Sequence, residues 1–368
     1  MGDLAGFCPL FPRLTPPQDG VTMALKMKKT WIRITLLFLL TGVLLFFFFR
    51  SLNWAEVWRS MAEVKPLLFV LVVLLAPVNL ITRAIRWDYL LRHEKKGITL
   101  YSRFAATVVG FTVTYLLPGR LGELAKPLFL AYKENMKKGF VLGTQLVERI
   151  FDIFTNCFLL GVFLFFNSLY SSSFNPDKRT YAILKWSGIG GVVFATIMLL
   201  LILSLYFFRD KTMAVISRLL RPFPKKLSTA VIKLLDEFFE GLKFFHSFRN
   251  LIAYILLSLV VWLGIDLFYW IVFFAFGLSV PYAAIIPYVF MTAVGASIPT
   301  PGMVGGYHYF SKLGLTAFFP ISDSKAAGMT IVVHALQLVM TCLIGYAILW
   351  KEGISLLQIK KLGENAIR

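Results

Sequence analysis

The chain has 368 residues, 58% hydrophobic and 16% aromatic, with only 15% charged and a formal net charge of +19. So few charged side chains cannot cover the surface of a soluble domain of this size, which excludes an ordinary globular protein. The excess Lys and Arg lies mainly in short segments between apolar blocks, as in loops beside anionic lipid. No nucleic-acid motif accompanies it, so no nucleic-acid partner is expected.

Residues 1–22, ending in Pro16-Pro17-Gln18-Asp19-Gly20, read as a disordered leader, and the basic stretch that follows carries it to residue 29. Met1, Met23 and Met27 all stand as candidate starts. Gly6 occupies the position where myristoylation needs Ser or Thr. Lys26, Lys28, Lys29 and Arg33 flank the first apolar block, Trp31–Phe49. Phe46–Phe49 and Arg50 close that block where a cleaved signal peptide would carry small residues, so it reads as a signal anchor.

Five further blocks, Pro66–Ile85, Phe140–Phe166, Ile183–Phe208, Leu251–Gly277 and Ala327–Trp350, approach or exceed the ~20 residues that cross a bilayer as a helix. None alternates as a β-barrel strand would. A basic N-terminus and the loop with Arg83, Arg86, Arg92, Lys95, Lys96 and Arg103 place both on the cytoplasmic side, and Arg50–Lys65 outside. Next comes Phe104–Ala131, broken at Leu117-Pro118-Gly119-Arg120. As one kinked helix it would reach about 42 Å; as a hairpin its arms reach about 21 and 16 Å. A span would force Arg209–Asn250, with nine Lys/Arg against four Asp/Glu, outside. That contradicts the positive-inside rule, so the segment reads as a re-entrant hairpin.

Pro118-Gly119-Arg120-Leu121-Gly122 is echoed by Pro301-Gly302-Met303-Val304-Gly305, again between short apolar arms, Ala284–Ile298 and Met303–Phe318. Loop charge makes the second hairpin enter from outside. The expected fold is therefore an all-α integral membrane protein. It has six spanning helices and two opposed re-entrant helical hairpins, in an inverted-topology repeat over about 66–166 and 251–350. The transmembrane domain covers 30–355 and a cytoplasmic tail 356–368, with both termini cytoplasmic. Val231, Leu234, Leu235, Phe238, Phe239, Leu242 and Phe245 recur at helical spacing, predicting an interfacial helix over about 228–245.

Ionisable residues inside apolar blocks are costly and face protein or a wet cavity. Gln145, Glu148, Arg149, Asp152 and Asn156 form one stripe, within which Arg149 can reach Asp152. Asn79, Thr82, Arg83 and Arg86 form a second, and Thr330, His334, Gln337 and Thr341 a third. Asp266 sits alone. Arg120 and Glu123 follow the first break, and His308 and Lys312 the second. Broken helices expose backbone that is tolerated at membrane depth only beside protein or water. Pro118, Gly119, Pro301 and Gly302 thus mark a buried polar path between the repeats. Structural roles stay open: snorkelling for Arg83 and Arg86, an ion pair for Glu148, Arg149 and Asp152, and helix–helix hydrogen bonding for His334. Cys8, Cys157 and Cys342 have no metal-site spacing, and no metal, cofactor or catalytic motif is expected.

Thr82-Arg83-Ala84-Ile85-Arg86-Trp87, Leu116-Leu117-Pro118-Gly119-Arg120-Leu121-Gly122-Glu123 and Leu146-Val147-Glu148-Arg149-Ile150-Phe151-Asp152 follow the order and spacing of the lysylphosphatidylglycerol synthase transmembrane region, also called the flippase-like domain family. Ile298-Pro299-Thr300-Pro301-Gly302-Met303-Val304-Gly305 resembles its second Pro-Gly element. The family often continues there into an acidic residue, where this chain has Gly306-Tyr307-His308. The resemblance implies movement of a lipid or lipid-linked glycan head group between leaflets of the cell (inner or plasma) membrane, in envelope lipid or glycolipid biogenesis. It implies no synthesis, since the aminoacyl-transferase domain of the namesake is not matched. The arginines predict an anionic head group and contact with anionic phospholipid. His334, with the carboxylates Glu148, Asp152 and Asp266, would balance charge or carry a coupled proton. Two alternatives remain: a membrane-embedded transferase acting on a lipid-linked donor, and a non-transporting scaffold for envelope-biosynthesis enzymes. Homo-oligomerisation is equally open.

Overall fold

The computed structural model describes residues 35–36, 38–166, 178–220, 222, 225–241, 248–355 and 358. The leader and nearly all of the tail lie outside them. The described residues form helices and connections, with no strand among them. Helix α1 (Phe38–Phe49) turns by 84° into α2 (Trp54–Ala62). Asn53 starts α2, its side chain accepting from the backbone N–H of Ala55 and Glu56. The apolar blocks gave no sign of this short amphipathic helix.

Four described helices are long and apolar enough to cross a membrane: α3 (Pro66–Leu91), α6 (Lys138–Phe166), α10 (Phe248–Ala275) and α13 (Asp323–Lys351). The bent α1–α2 pair makes a fifth if taken as one span. The chain is accordingly a multi-pass helical membrane protein. Helix α7 (Lys178–Phe207) is 30 residues long and packs on α6, where a Cβ on Gly191 would collide with the Cys157 sulfur. Small residues allow such close approach between membrane helices.

Helices α4 (Leu100–Leu116) and α5 (Gly122–Lys133) pack directly on one another. A Cβ on Gly110 would stand 2.6 Å from the Lys126 Cβ, and one on Gly122 would strike the Gly110 carbonyl. The break follows from sequence. Leu117, before Pro118, is extended at φ −115° and ψ 143°. Gly119 and Arg120 then take left-handed φ of 78° and 56°. Helices α11 (Ile285–Ser297) and α12 (Gly306–Phe318) repeat the arrangement. Gly302 and Met303 there have φ of 61° and 59°, and a Cβ on Gly295 would lie 2.6 Å from the Gly306 carbonyl.

The two hairpins open at opposite ends of the bundle. At one end Lys95 meets Glu134 at 2.7 Å, and Lys133 meets Glu352, just past α13, at 2.5 Å. At the other, Lys312 of α12 meets Asp323 at 2.9 Å, and the Lys65 N–H donates to the Ala275 carbonyl at 2.9 Å. The tips touch near the middle: Arg120 Nη1 donates to the Ser297 carbonyl at 3.1 Å. Each end has its own apolar core, one around Trp87, Phe129, Phe140 and Tyr254, the other around Phe273, Tyr288, Leu315 and Ala326.

Helices α8 (Arg209–Leu219) and α9 (Lys225–Gly241) follow α7. Helix α9 begins three residues before the predicted start of the interfacial helix, and 242–247 lie outside the described residues. Its apolar stripe packs on α6: Phe238 abuts Gly143, and the Gly139 N–H donates to Glu237 at 3.0 Å. Phe239 is buried in the first core.

Candidate functional site

Between the two cores lies a cavity of about 710 Å³. Asn79 and Arg83 of α3, Tyr115 of α4, and Arg149, Asp152 and Asn156 of α6 line one side. Arg120 and Glu123 enter from the first break. Facing them are Tyr269 of α10, Tyr307 of α12, and His334 and Gln337 of α13. Much of the remaining wall is apolar, with Phe111, Ile153, Phe268 and Phe290 among its residues.

The charged wall is an interlocked network. Arg86 is fully buried and donates from Nη1 to Asp152 at 2.7 Å and to Ser258 Oγ at 3.2 Å. Its Nη2 stands 3.4 Å from Glu148. Asp152 also accepts from the Trp262 indole at 3.2 Å, with Arg83 at 3.6 Å and Arg149 at 3.4 Å from its other oxygen. Lys126 donates to Glu148 at 2.6 Å and lies 4.2 Å from the Trp87 ring centroid. Arg120 pairs with Glu123 at 2.7 Å. Within this network five cations, Arg83, Arg86, Arg120, Lys126 and Arg149, meet three carboxylates, Glu123, Glu148 and Asp152.

The surplus charge faces the cavity. Arg86 and Lys126 are buried behind it, whereas Arg120 and Arg149 keep about 30% of their side chains exposed (28% and 30%). Arg83 Nη1, Arg120 Nε and Arg149 Nε are buried donors without a hydrogen-bond partner among the described residues. Arg83 Nη1 and Arg149 Nε are within ion-pair range of Asp152 and Glu123, at 3.6 and 4.0 Å, but a buried donor without a hydrogen bond remains expensive.

The structure therefore gathers Arg83, Arg86, Arg120, Glu123, Glu148, Arg149 and Asp152 into one cluster. The expected Arg149–Asp152 contact is present at 3.4 Å, but a closer cation, Arg86 from a different helix, stands 2.7 Å from Asp152. Snorkelling does not describe Arg86, which reaches no surface. His334 lies on the opposite wall, and His308 behind it, its ring centroid 4.7 Å away. Asp266 is buried at 1% exposure but does not line the cavity. Pro118, Gly119, Pro301 and Gly302 shape the breaks that bring the hairpin tips to the cavity.

Sequence reasoning missed Lys126. Its signal was present: a lone lysine three residues after Glu123, inside an apolar arm too deep for a free charge. It also missed Tyr269 and Tyr307, whose hydroxyls meet at 3.0 Å, with the Gln337 amide donating to Tyr269 at 3.4 Å. Tyrosines in apolar blocks carry no signal by themselves. Among the described residues no group of three or more His, Cys, Asp and Glu could hold a metal.

A family model described as the lysylphosphatidylglycerol synthase TM region matches residues 31–345. A UPF0104 membrane protein of Methanocaldococcus jannaschii is 21% identical over 331 residues, covering 87% of this chain and 95% of the relative. No solved structure matches the chain.

Proposed function

The chain belongs to the lysylphosphatidylglycerol synthase TM region family, and from that premise we propose that it moves an anionic lipid or lipid-linked head group between the two leaflets of the cell membrane. The observation that carries this reading is the surplus of cations over carboxylates in the network, with Arg83, Arg120 and Arg149 among the residues that line the cavity. A phosphate supplies the missing charge and acceptors together, and arginine grips it through two parallel hydrogen bonds. The apolar part of the wall suits the first carbons of the attached chain, whose remainder stays in lipid.

In this reading α1, α3, α6, α7, α10 and α13 span the bilayer. The α4–α5 and α11–α12 hairpins are re-entrant from opposite leaflets, as two halves of an inverted-topology repeat. The basic loops then place both termini on the cytoplasmic side. Hairpins that meet at the midplane keep their unpaired backbone inside protein, and they supply the two surfaces whose separation opens the cavity to one leaflet or the other. In this reading the network binds the head group, and the protein acts as a translocase rather than as an enzyme.

The test is reconstitution into phosphatidylcholine vesicles carrying fluorescent phosphatidylglycerol, with a membrane-impermeant quencher. Movement is expected to expose inner-leaflet probe to quenching. Inner-leaflet probe that stays protected at the rate of protein-free vesicles sinks the reading.

A further inference from the structure

The wall opposite the arginines contains no charged side chain, yet it holds two buried histidines. His334 is 3% exposed and His308 9%. Their rings meet edge to face with centroids 4.7 Å apart, and His334 stacks on Tyr307 at 4.9 Å. His308 Nδ1 and His334 Nε2 both lack a hydrogen-bond partner among the described residues. An imidazole is the side chain whose ordinary protonation lies closest to neutrality, and a buried one without a partner on one nitrogen can take or pass a proton there.

The pair also lies between two cavities. His334 lines the central cavity. His308 abuts the Phe48 ring at 5.3 Å, and the Phe48 carbonyl accepts from Lys312 at 3.1 Å. Lys312 stands one turn beyond His308 on α12 and pairs with Asp323 at 2.9 Å. Lys312 and Asp323 line a second cavity, of about 220 Å³, at the end of the bundle where the α11–α12 hairpin opens. Tyr115 of α4, Tyr307 of α12 and Phe48 of α1 face the histidines, the Gly302 backbone is hydrogen-bonded to His334, and the Lys312 ammonium lies over the same Phe48 ring that His308 abuts. Of these groups Lys312 carries a charge, which Asp323 balances at 2.9 Å.

We infer that His308 and His334 pass a proton between the central cavity and the pocket at Lys312 and Asp323, so that this half of the bundle is a proton path. If the proposed function holds, the path supplies a coupling ion for movement of the anion. The proton path itself does not depend on that reading.

The experiment uses phosphatidylcholine–phosphatidylglycerol vesicles holding the full-length protein and a trapped pH-sensitive dye, with a potassium diffusion potential set by valinomycin. Wild type is expected to pass protons faster than protein-free vesicles, and His308→Asn and His334→Asn to fall to the protein-free rate. Wild-type flux no greater than that of empty vesicles overturns the inference, and so does undiminished flux in either variant. Should the variants not fold, nitrogen-15 NMR in nanodiscs of the His93→Asn, His246→Asn protein, which keeps only His308 and His334 of the four histidines, decides. A ring that gains a proton between about pH 8 and 5 supports the path, and two rings neutral throughout overturn it. Probe movement is measured separately, so loss of lipid movement and loss of proton flux are told apart.

Discussion

Arg86 and Asp152 are 66 positions apart in sequence and lie on different helices, yet a 2.7 Å hydrogen bond joins them in the interior. Neither charge is affordable alone at that depth. Removing one partner of a buried pair leaves the other uncompensated, at a cost of about 3–5 kcal/mol. Arg86→Ala and Asp152→Ala should each lower the unfolding temperature and folded yield sharply, as read by thermal unfolding in detergent. Arg149→Ala should cost far less, because its side chain reaches the cavity and keeps 30% exposure. Equal losses in all three would show that Arg86 is not the principal partner.

Arg120 tests the cavity as a head-group site. Its φ of 56° and its bond to the Ser297 carbonyl hold it where the two hairpin tips meet. Arg120→Gln keeps length and polarity and removes charge. Probe movement in vesicles should then fall at least about tenfold if the lost interaction is worth ~1.4 kcal/mol at the barrier. A wild-type rate would leave Arg120 as a structural partner of Glu123.

Gly122 tests the first hairpin. It faces the Gly110 carbonyl and the Thr114 side chain with no room for a Cβ. Gly122→Val should separate α4 from α5 and disperse the protein into polydisperse species on size-exclusion chromatography. Gly42→Val, with nothing within 4 Å of its would-be Cβ, is the matched control. Equal elution of both variants would refute tight hairpin packing.

Topology is read by labelling in a background where Cys8, Cys157 and Cys342 are replaced. Cysteines at Asn135 and Ser228 should react only from the cytoplasmic side, and one at Glu63 only from the other. Reaction of positions 135 and 228 from outside, on the same side as Glu63, would make the α4–α5 segment a span and dissolve the re-entrant arrangement.

Glu134, beyond the end of α5, gives a pH dependence. Burial alone would raise its pKa, but hydrogen bonds from Lys95 and Ser102 outweigh that and hold it below the usual value. A depressed carboxylate contributes stability above its unfolded pKa and loses it as pH falls through the folded one. Hydrogen exchange over residues 131–136 should therefore quicken, relative to the intrinsic rate, below about pH 4 in wild type. In Glu134→Gln that acid-induced step should vanish. An unchanged step would assign the loss to another group.

Four of the expected spans, the Pro-Gly breaks and the stripe Glu148, Arg149, Asp152 were legible in the sequence, because each rests on local physics. Bilayer thickness sets the length of an apolar run. Pro118 forces Leu117 out of helix, and Gly119 and Gly302 admit left-handed backbone. Helical spacing aligns polar side chains on one face. Partner choice was not legible. Position along α3 alone allows Arg86 to snorkel, and only the packing of α3 against α6 and α10 places it between Asp152 and Ser258. Lys126 found Glu148 because Gly110 and Gly122 let α4 and α5 close up, which carries the lysine inward. The facing wall of Tyr269, Tyr307, His308 and His334 needed the meeting of α10, α12 and α13, since neutral side chains in apolar blocks look alike in sequence. Sequence decided what must be buried, through the cost of moving each group out of water. Tertiary structure alone decided which charges cancel and which remain facing the cavity, because that depends on distances between helices remote in the chain.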